Sequence, residues 1–109
     1  MIARLGVFDR MPGDIHAGYR RNLLERFKPA LEVQEGFIAG YWLEAPDGRE
    51  LSFTIWESDE ALTSGALRAN AAPLLPGQDG SKIPSPAVVE TYTVVARAPG
   101  TRAIADASP

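Results

Sequence analysis

At 109 residues, 45% of them hydrophobic and 23% charged, the chain has the size and balance of one globular domain, with no room for a second core. A net charge of −3 and eleven scattered Lys and Arg residues offer no phosphate-tracking stripe, so nucleic acid is not an expected partner. Cysteine is absent, which excludes disulfides, thiolate metal sites and a Cys nucleophile, and the single His16 cannot build a multi-histidine metal site.

Ile2 to Phe8 (IARLGVF) is rich in β-formers and reads as a first strand. No basic stretch followed by a long apolar run precedes it, and no segment approaches the roughly 20 apolar residues of a membrane helix. A cytoplasmic protein without a membrane partner is therefore expected. Asp9 to Asp14 reads as a turn, with Asp14 placed to cap a helix. From Ile15 to about Val33, His16, Tyr19, Leu23, Phe27 and Leu31 recur at spacings of three and four, with Arg20, Arg21, Glu25 and Arg26 on other faces. Pro29 removes a backbone donor and crowds the carbonyl four residues earlier, so a kink or break is expected near Lys28.

Glu35-Gly36 closes the helical region, and Phe37 to Glu44 (FIAGYWLE) reads as a second strand. The turn Ala45-Pro46-Asp47-Gly48 joins it to a third, Glu50 to Trp56 (ELSFTIW), in which Leu51, Phe53 and Ile55 alternate with Ser52, Thr54 and Trp56. Ser58 is placed to cap a second helix running to about Ala72, weakened slightly by Gly65. Pro76 to Pro86 is an irregular loop, long enough to suggest a pocket cover or a segment reaching across a dimer, anchored by Ile83, with a solvated connector as the alternative. Ala87 to Arg97 is the last strand. The domain is taken as residues 1–98 and residues 99–109 as a C-terminal tail.

The order β-α-β-β-α-β is that of an α+β, ferredoxin-like domain, a four-stranded antiparallel sheet with both helices on one face. Strands two and four carry apolar residues on both faces, and two helices can cover only one. A second copy of the sheet is the simplest cover for the other, so a homodimer is expected.

Two segments carry a family resemblance. Glu35-Gly36-Phe37-Ile38-Ala39-Gly40-Tyr41 resembles the PGF-x-G-Y lead-in to strand two of dimeric α/β-barrel proteins, with Glu where Pro is usual. Thr54-Ile55-Trp56-Glu57-Ser58-Asp59-Glu60-Ala61-Leu62 resembles their W-E-S-E-E-A junction between strand three and helix two. The element order agrees over residues 2 to 97, and the most similar branch is the antibiotic biosynthesis monooxygenase-like family. The resemblance implies a dimeric α/β barrel. It also implies a range of activities: cofactor-independent oxygenation of polycyclic phenols, heme degradation, isomerisation or cyclisation, and no known activity. The heme-degrading branch needs an Asn in strand one and a His in helix two. Residues 2–8 and 58–72 lack them, so no cofactor is expected.

The candidate catalytic residues are His16, whose ordinary pKa suits proton transfer, and Trp56, whose indole could stack on a flat substrate. The alternatives are a half-exposed His16 bonded to an acid such as Asp14, and a Trp56 that only packs the core. Tyr19, Tyr92, Asn70 and Phe27 are candidates for contacting an aromatic substrate, through phenol, amide and ring respectively. Trp42 reads as structural, in the core or against a dimer partner. Arg4 is out of place on a buried face, where it would suit an anionic substrate, but ordinary at an exposed edge. Few titratable residues fall on inward positions, which leans away from hydrolysis and toward oxygenation or plain binding. The readings are thus a small cofactor-independent monooxygenase of an aromatic or polyketide-like molecule, a noncatalytic binding or assembly module, and a non-oxidative isomerase or cyclase. A cavity of a few hundred Å³ walled by aromatics favours the enzymes, and one filled by Leu23, Phe27 and Leu67 favours the module.

Overall fold

The computed structural model describes residues 1–100; most of the expected tail, residues 101–109, lies outside them. The elements are β1 (Ile2–Phe8), α1 (Gly13–Asn22), a π-helical turn (Leu23–Phe27), α2 (Lys28–Glu32), β2 (Phe37–Glu44), β3 (Glu50–Trp56), α3 (Asp59–Asn70), a short 3-10 turn (Gly80–Lys82) and β4 (Val88–Thr93). The four strands form one antiparallel sheet in the order β2-β3-β1-β4, with the helical segments on one face. This is the ferredoxin-like α+β arrangement expected from the sequence. Among the described residues no helix is long and apolar enough to cross a membrane.

The first helical rod does not break at Pro29. Pro29 sits in the first turn of α2, where a missing N–H costs nothing, and the turn before it widens so that the Lys28 N–H reaches back to the Leu23 carbonyl. The extra residue in that turn also changes which side chains point inward. Arg26, placed by simple periodicity on an outer face, is only 8% exposed. Asp14 is not the cap either: the helix starts at Gly13 after Pro12, without a side-chain cap. At the second helix the expected cap is present, with Ser58 Oγ accepting from the Ala61 N–H at 3.1 Å. Strand β4 is shorter than the run Ala87 to Arg97, because β1 offers it only Ile2–Val7 as pairing partners.

Directly paired residues share a face of the sheet. Phe8, Gly6, Arg4 and Ile2 stand opposite Glu50, Ser52, Thr54 and Trp56, and this set lies under the helices. The alternation in β3 is therefore inverted relative to the usual rule: Glu50, Ser52, Thr54 and Trp56 are buried, whereas Leu51, Phe53 and Ile55 on the other face are half-buried. A bulge between Phe37 and Ala39 turns Phe37 toward the helices, where its ring meets Trp56 edge-on at 5.1 Å. The same register puts Trp42 opposite Ser52 on the helix side, not toward a partner sheet.

The core gathers at the Trp56 end, where Leu31, Leu62 and Ala69 surround the indole. Trp56 is 1% exposed, and its Nε1–H donates to Thr54 Oγ1 at 3.0 Å. Gly36, at φ +81°, makes the turn into β2 while leaving space for Ala61. Gly65 lets α3 lie directly on the indole, since a Cβ there would fall 2.6 Å from Trp56 Cη2. Gly65→Ala should therefore destabilise the fold by roughly 1–3 kcal/mol through overpacking, despite alanine's better helix propensity. A urea melt showing unchanged or higher stability would contradict this placement.

Candidate functional site

At the end of the sheet opposite Trp56, an ionic cluster fixes the helices. Glu50 is 2% exposed, and its Oε1 accepts from Arg20 Nη2 at 2.7 Å, Arg20 Nε at 3.0 Å and His16 Nε2 at 2.5 Å. Arg20 also approaches Glu44 at 3.5 Å. The hydrogen bond to Glu50 is the main reason the Arg20 guanidinium is held above its ordinary pKa. Burial of Glu50 without these donors would leave a costly unpaired charge.

Between the ionic cluster and the Trp56 core lies a cavity of about 480 Å³. The sheet contributes Arg4, Phe8, Trp42 and Ser52; the first helical rod contributes Tyr19, Asn22, Leu23, Arg26 and Phe27. Asn70 at the end of α3 and Leu74 beyond it close the cavity, and Gly80 and residues 83–86 form its rim. Leu67 is 70% exposed and does not fill it. The loop from Pro76 to Pro86 thus covers part of the cavity, with Ile83 half-buried against it. It is fastened as well as draped: Gln78 Nε2 donates to Asn22 Oδ1 at 2.7 Å, and Gln78 Oε1 accepts from the Leu75 N–H at 2.9 Å.

The polar groups around the cavity are committed to very different degrees. Arg26 donates to the carbonyls of Asn70, Ala72 and Pro73 and to Asn22 Oδ1, satisfying the orphan carbonyls that follow α3. The Asn70 side chain donates to the Ala66 carbonyl at 3.0 Å. The Tyr19 ring packs on Phe8 at 5.0 Å. Burial, reinforced by the negative charge of Glu50, pushes the Tyr19 phenol up to about 12, so at neutral pH it is a protonated donor. Arg4 has no hydrogen-bond or ion-pair partner among the described residues. Among the described residues, no carboxylate or imidazole lines the cavity.

Of the residues singled out from the sequence, the structure brings Tyr19, Phe27 and Asn70 together at this cavity. His16 is not among its lining residues. It stands outside on α1, bonded to Glu50 and not to Asp14. Trp56 is enclosed in the core, and the large indole at the cavity is Trp42. Tyr92 pairs with Ala3 on the face away from the helices, 46% exposed, and its hydroxyl bonds Glu90, which raises the phenol's pKa. Arg26, Asn22, Ser52 and Glu50 were not anticipated as site residues. The polar side of β3 was the available signal for the last two.

No family model and no curated protein matches the chain. Solved structures do resemble it. A MhuD variant with two manganese protoporphyrin IX bound per active site is 20% identical, over 92% of this chain and 100% of that one, with a TM-score of 0.67. A variant of SnoaB, a cofactor-independent oxygenase from Streptomyces nogalater, is 14% identical over 91% and 97%, with a TM-score of 0.60. A monooxygenase from the gene ActVA-Orf6 of Streptomyces coelicolor, in complex with Nanaomycin D, is 11% identical over 94% and 92%, with a TM-score of 0.59. At these identities the likeness is one of fold, and it covers nearly the whole of each chain.

The position of Tyr19 sets a pH dependence. Its folded pKa lies above that of an unfolded tyrosine, so its contribution is fully present below pH 10 and is lost as pH rises toward 12. Tyr19→Phe should remove on the order of 1–2 kcal/mol of the alkaline loss of stability. Urea melts of both proteins at pH 9 and pH 11.5 would show it; parallel losses would place the phenol in solvent.

Proposed function

We propose that this chain is a small cofactor-independent monooxygenase acting on a flat aromatic or polyketide-like substrate. The observation that carries the reading is the cavity itself: about 480 Å³, walled by Phe8, Tyr19, Phe27 and Trp42, with hydrogen-bond donors and, among the described residues, no acid or imidazole. The fold it shares with SnoaB and the ActVA-Orf6 monooxygenase supports the same direction.

In such a reaction the electrons come from the substrate. An activated methylene between two aromatic rings loses a proton to water at the cavity mouth, no described lining residue being a base, and the carbanion passes one electron to dioxygen. The resulting radical pair joins as a C–O–O bond, and a second C–H proton leaves as the O–O bond breaks. Overall, one methylene and one dioxygen become one ketone carbonyl and one water, with no external reductant. The protein's part is to hold the ring system flat, exclude water from the reacting carbon and stabilise the substrate anion by donated hydrogen bonds. Tyr19, protonated at neutral pH, is a donor for that anion, while Trp42 and Phe27 supply stacking area.

The working unit is proposed to be a homodimer joined through the open sheet face. That face presents Leu5, Val7, Leu51, Phe53, Tyr41 and Leu43, with Tyr41 and Leu43 about half exposed. Such an apolar surface is rarely left in water. An identical sheet is its self-complementary cover.

Aerobic incubation with a panel of hydroxyanthrones should consume one dioxygen per quinone formed, followed by an oxygen electrode and quinone absorbance. Uptake no faster than in buffer would remove the oxygenase reading. Sedimentation at micromolar concentration should give about twice the 11.8 kDa chain mass. A monodisperse monomer would show that the open face is covered in another way.

A further inference from the structure

Arg4 lies on β1, an inner strand of the sheet, so it is not an edge-exposed arginine. Its side chain is on the helix face, half-buried and lining the cavity. In register its neighbours are Thr54 on β3 and Thr91 on β4, neither of which carries charge. The other cation of the lining, Arg26, is consumed by three backbone carbonyls and Asn22. Arg4 has no such obligation among the described residues. Withdrawing a guanidinium from water without a counter-ion is unfavourable, and burial does hold Arg4 below its ordinary pKa. Methionine or leucine at this position would meet the needs of packing alone.

We propose that Arg4 anchors an anionic oxygen group of the bound molecule, a carboxylate or ionised phenol attached to the aromatic body that Phe27 and Trp42 receive. The inference deepens the proposed function by defining the substrate class, and it relies on the same cavity being the ligand site. The planar guanidinium fork matches a carboxylate bidentately or a phenolate singly, and its plane stacks on the faces of flat rings. Ser52, two residues along β3 from Thr54 and also in the lining, adds a hydroxyl that can donate to the same anion. With no carboxylate among the described lining residues, none of them opposes a negative ligand.

The test is calorimetric titration at pH 7 with 2-naphthoate and with its neutral isostere 2-naphthamide, on the wild-type chain and on Arg4→Met. The wild type should bind naphthoate at least ~10-fold more tightly than naphthamide, the size of a charge-assisted hydrogen bond in a partly dry site. Arg4→Met should shrink that preference to within about 3-fold by weakening naphthoate alone. Arg4→Gln serves in the same comparison if the Met variant melts early. Equal affinities in the wild type, a preference that survives in the variants, or binding of neither probe would each overturn the proposal. Oxygen uptake is read separately. A chain that selects naphthoate through Arg4 but oxidises no anthrone keeps this inference and loses the oxygenase reading. A chain that oxidises anthrones with no preference for the anionic probe does the reverse.

Discussion

The carboxylate of Glu50, withdrawn from solvent at the start of β3, dictates much of what surrounds it. It requires donors, and Arg20 and His16 reach it only if α1 lies across that end of the sheet. At the other end the requirement is apolar: Trp56 needs cover, and α2 and α3 supply it through Leu31, Leu62 and Ala69. The helical layer is thus held at its two ends by different forces, one directional and ionic, one nondirectional. The middle is left unfilled, and the cavity occupies it. A carboxylate bonded by arginine and histidine fixes orientation in a way that hydrophobic contact does not, so the width of the cavity is defined by geometry rather than by how well side chains collapse.

The first helical rod serves both ends because it is not a uniform α-helix. Upstream of the π-helical turn, Tyr19 and Arg20 address the cavity and Glu50. Downstream, Leu31 addresses the core. Within the turn, Arg26 satisfies the carbonyls at the end of α3, so the two helical elements are joined by hydrogen bonds as well as by packing. Asn22 extends that connection to the loop through Gln78. Rim, wall and the end of α3 therefore share one polar network.

Much of the frame was legible in the sequence. The bounds of β1, β2 and β3 follow from β-rich runs ended by Pro, Asp and Gly, and the Ser58 cap follows from its position ahead of two acids. What could not be read has identifiable physical causes. Trp42 and Phe37 share a face only because a bulge intervenes, and a bulge leaves no mark on simple alternation. Arg26 faces inward only because a widened turn precedes Pro29. Glu50 and Ser52 belong to the site because β3 turns its polar side toward the helices, contrary to the expectation that polar side chains face water. Tyr19, Phe27 and Asn70 were reachable from helical spacing alone. His16 and Trp56 share the inward side of the helix–sheet layer but lie at or beyond the two ends of the open space.

The widened turn has a consequence for how the cavity can vary. An α-helix advances about 100° per residue, so one residue more or less between Leu23 and Phe27 would rotate the half bearing Tyr19 against the half bearing Leu31. Neither half could then keep its own anchor without moving the other. The shape of the cavity is in this sense encoded by chain length at a single helical turn, a phase setting that point substitutions in the lining leave untouched.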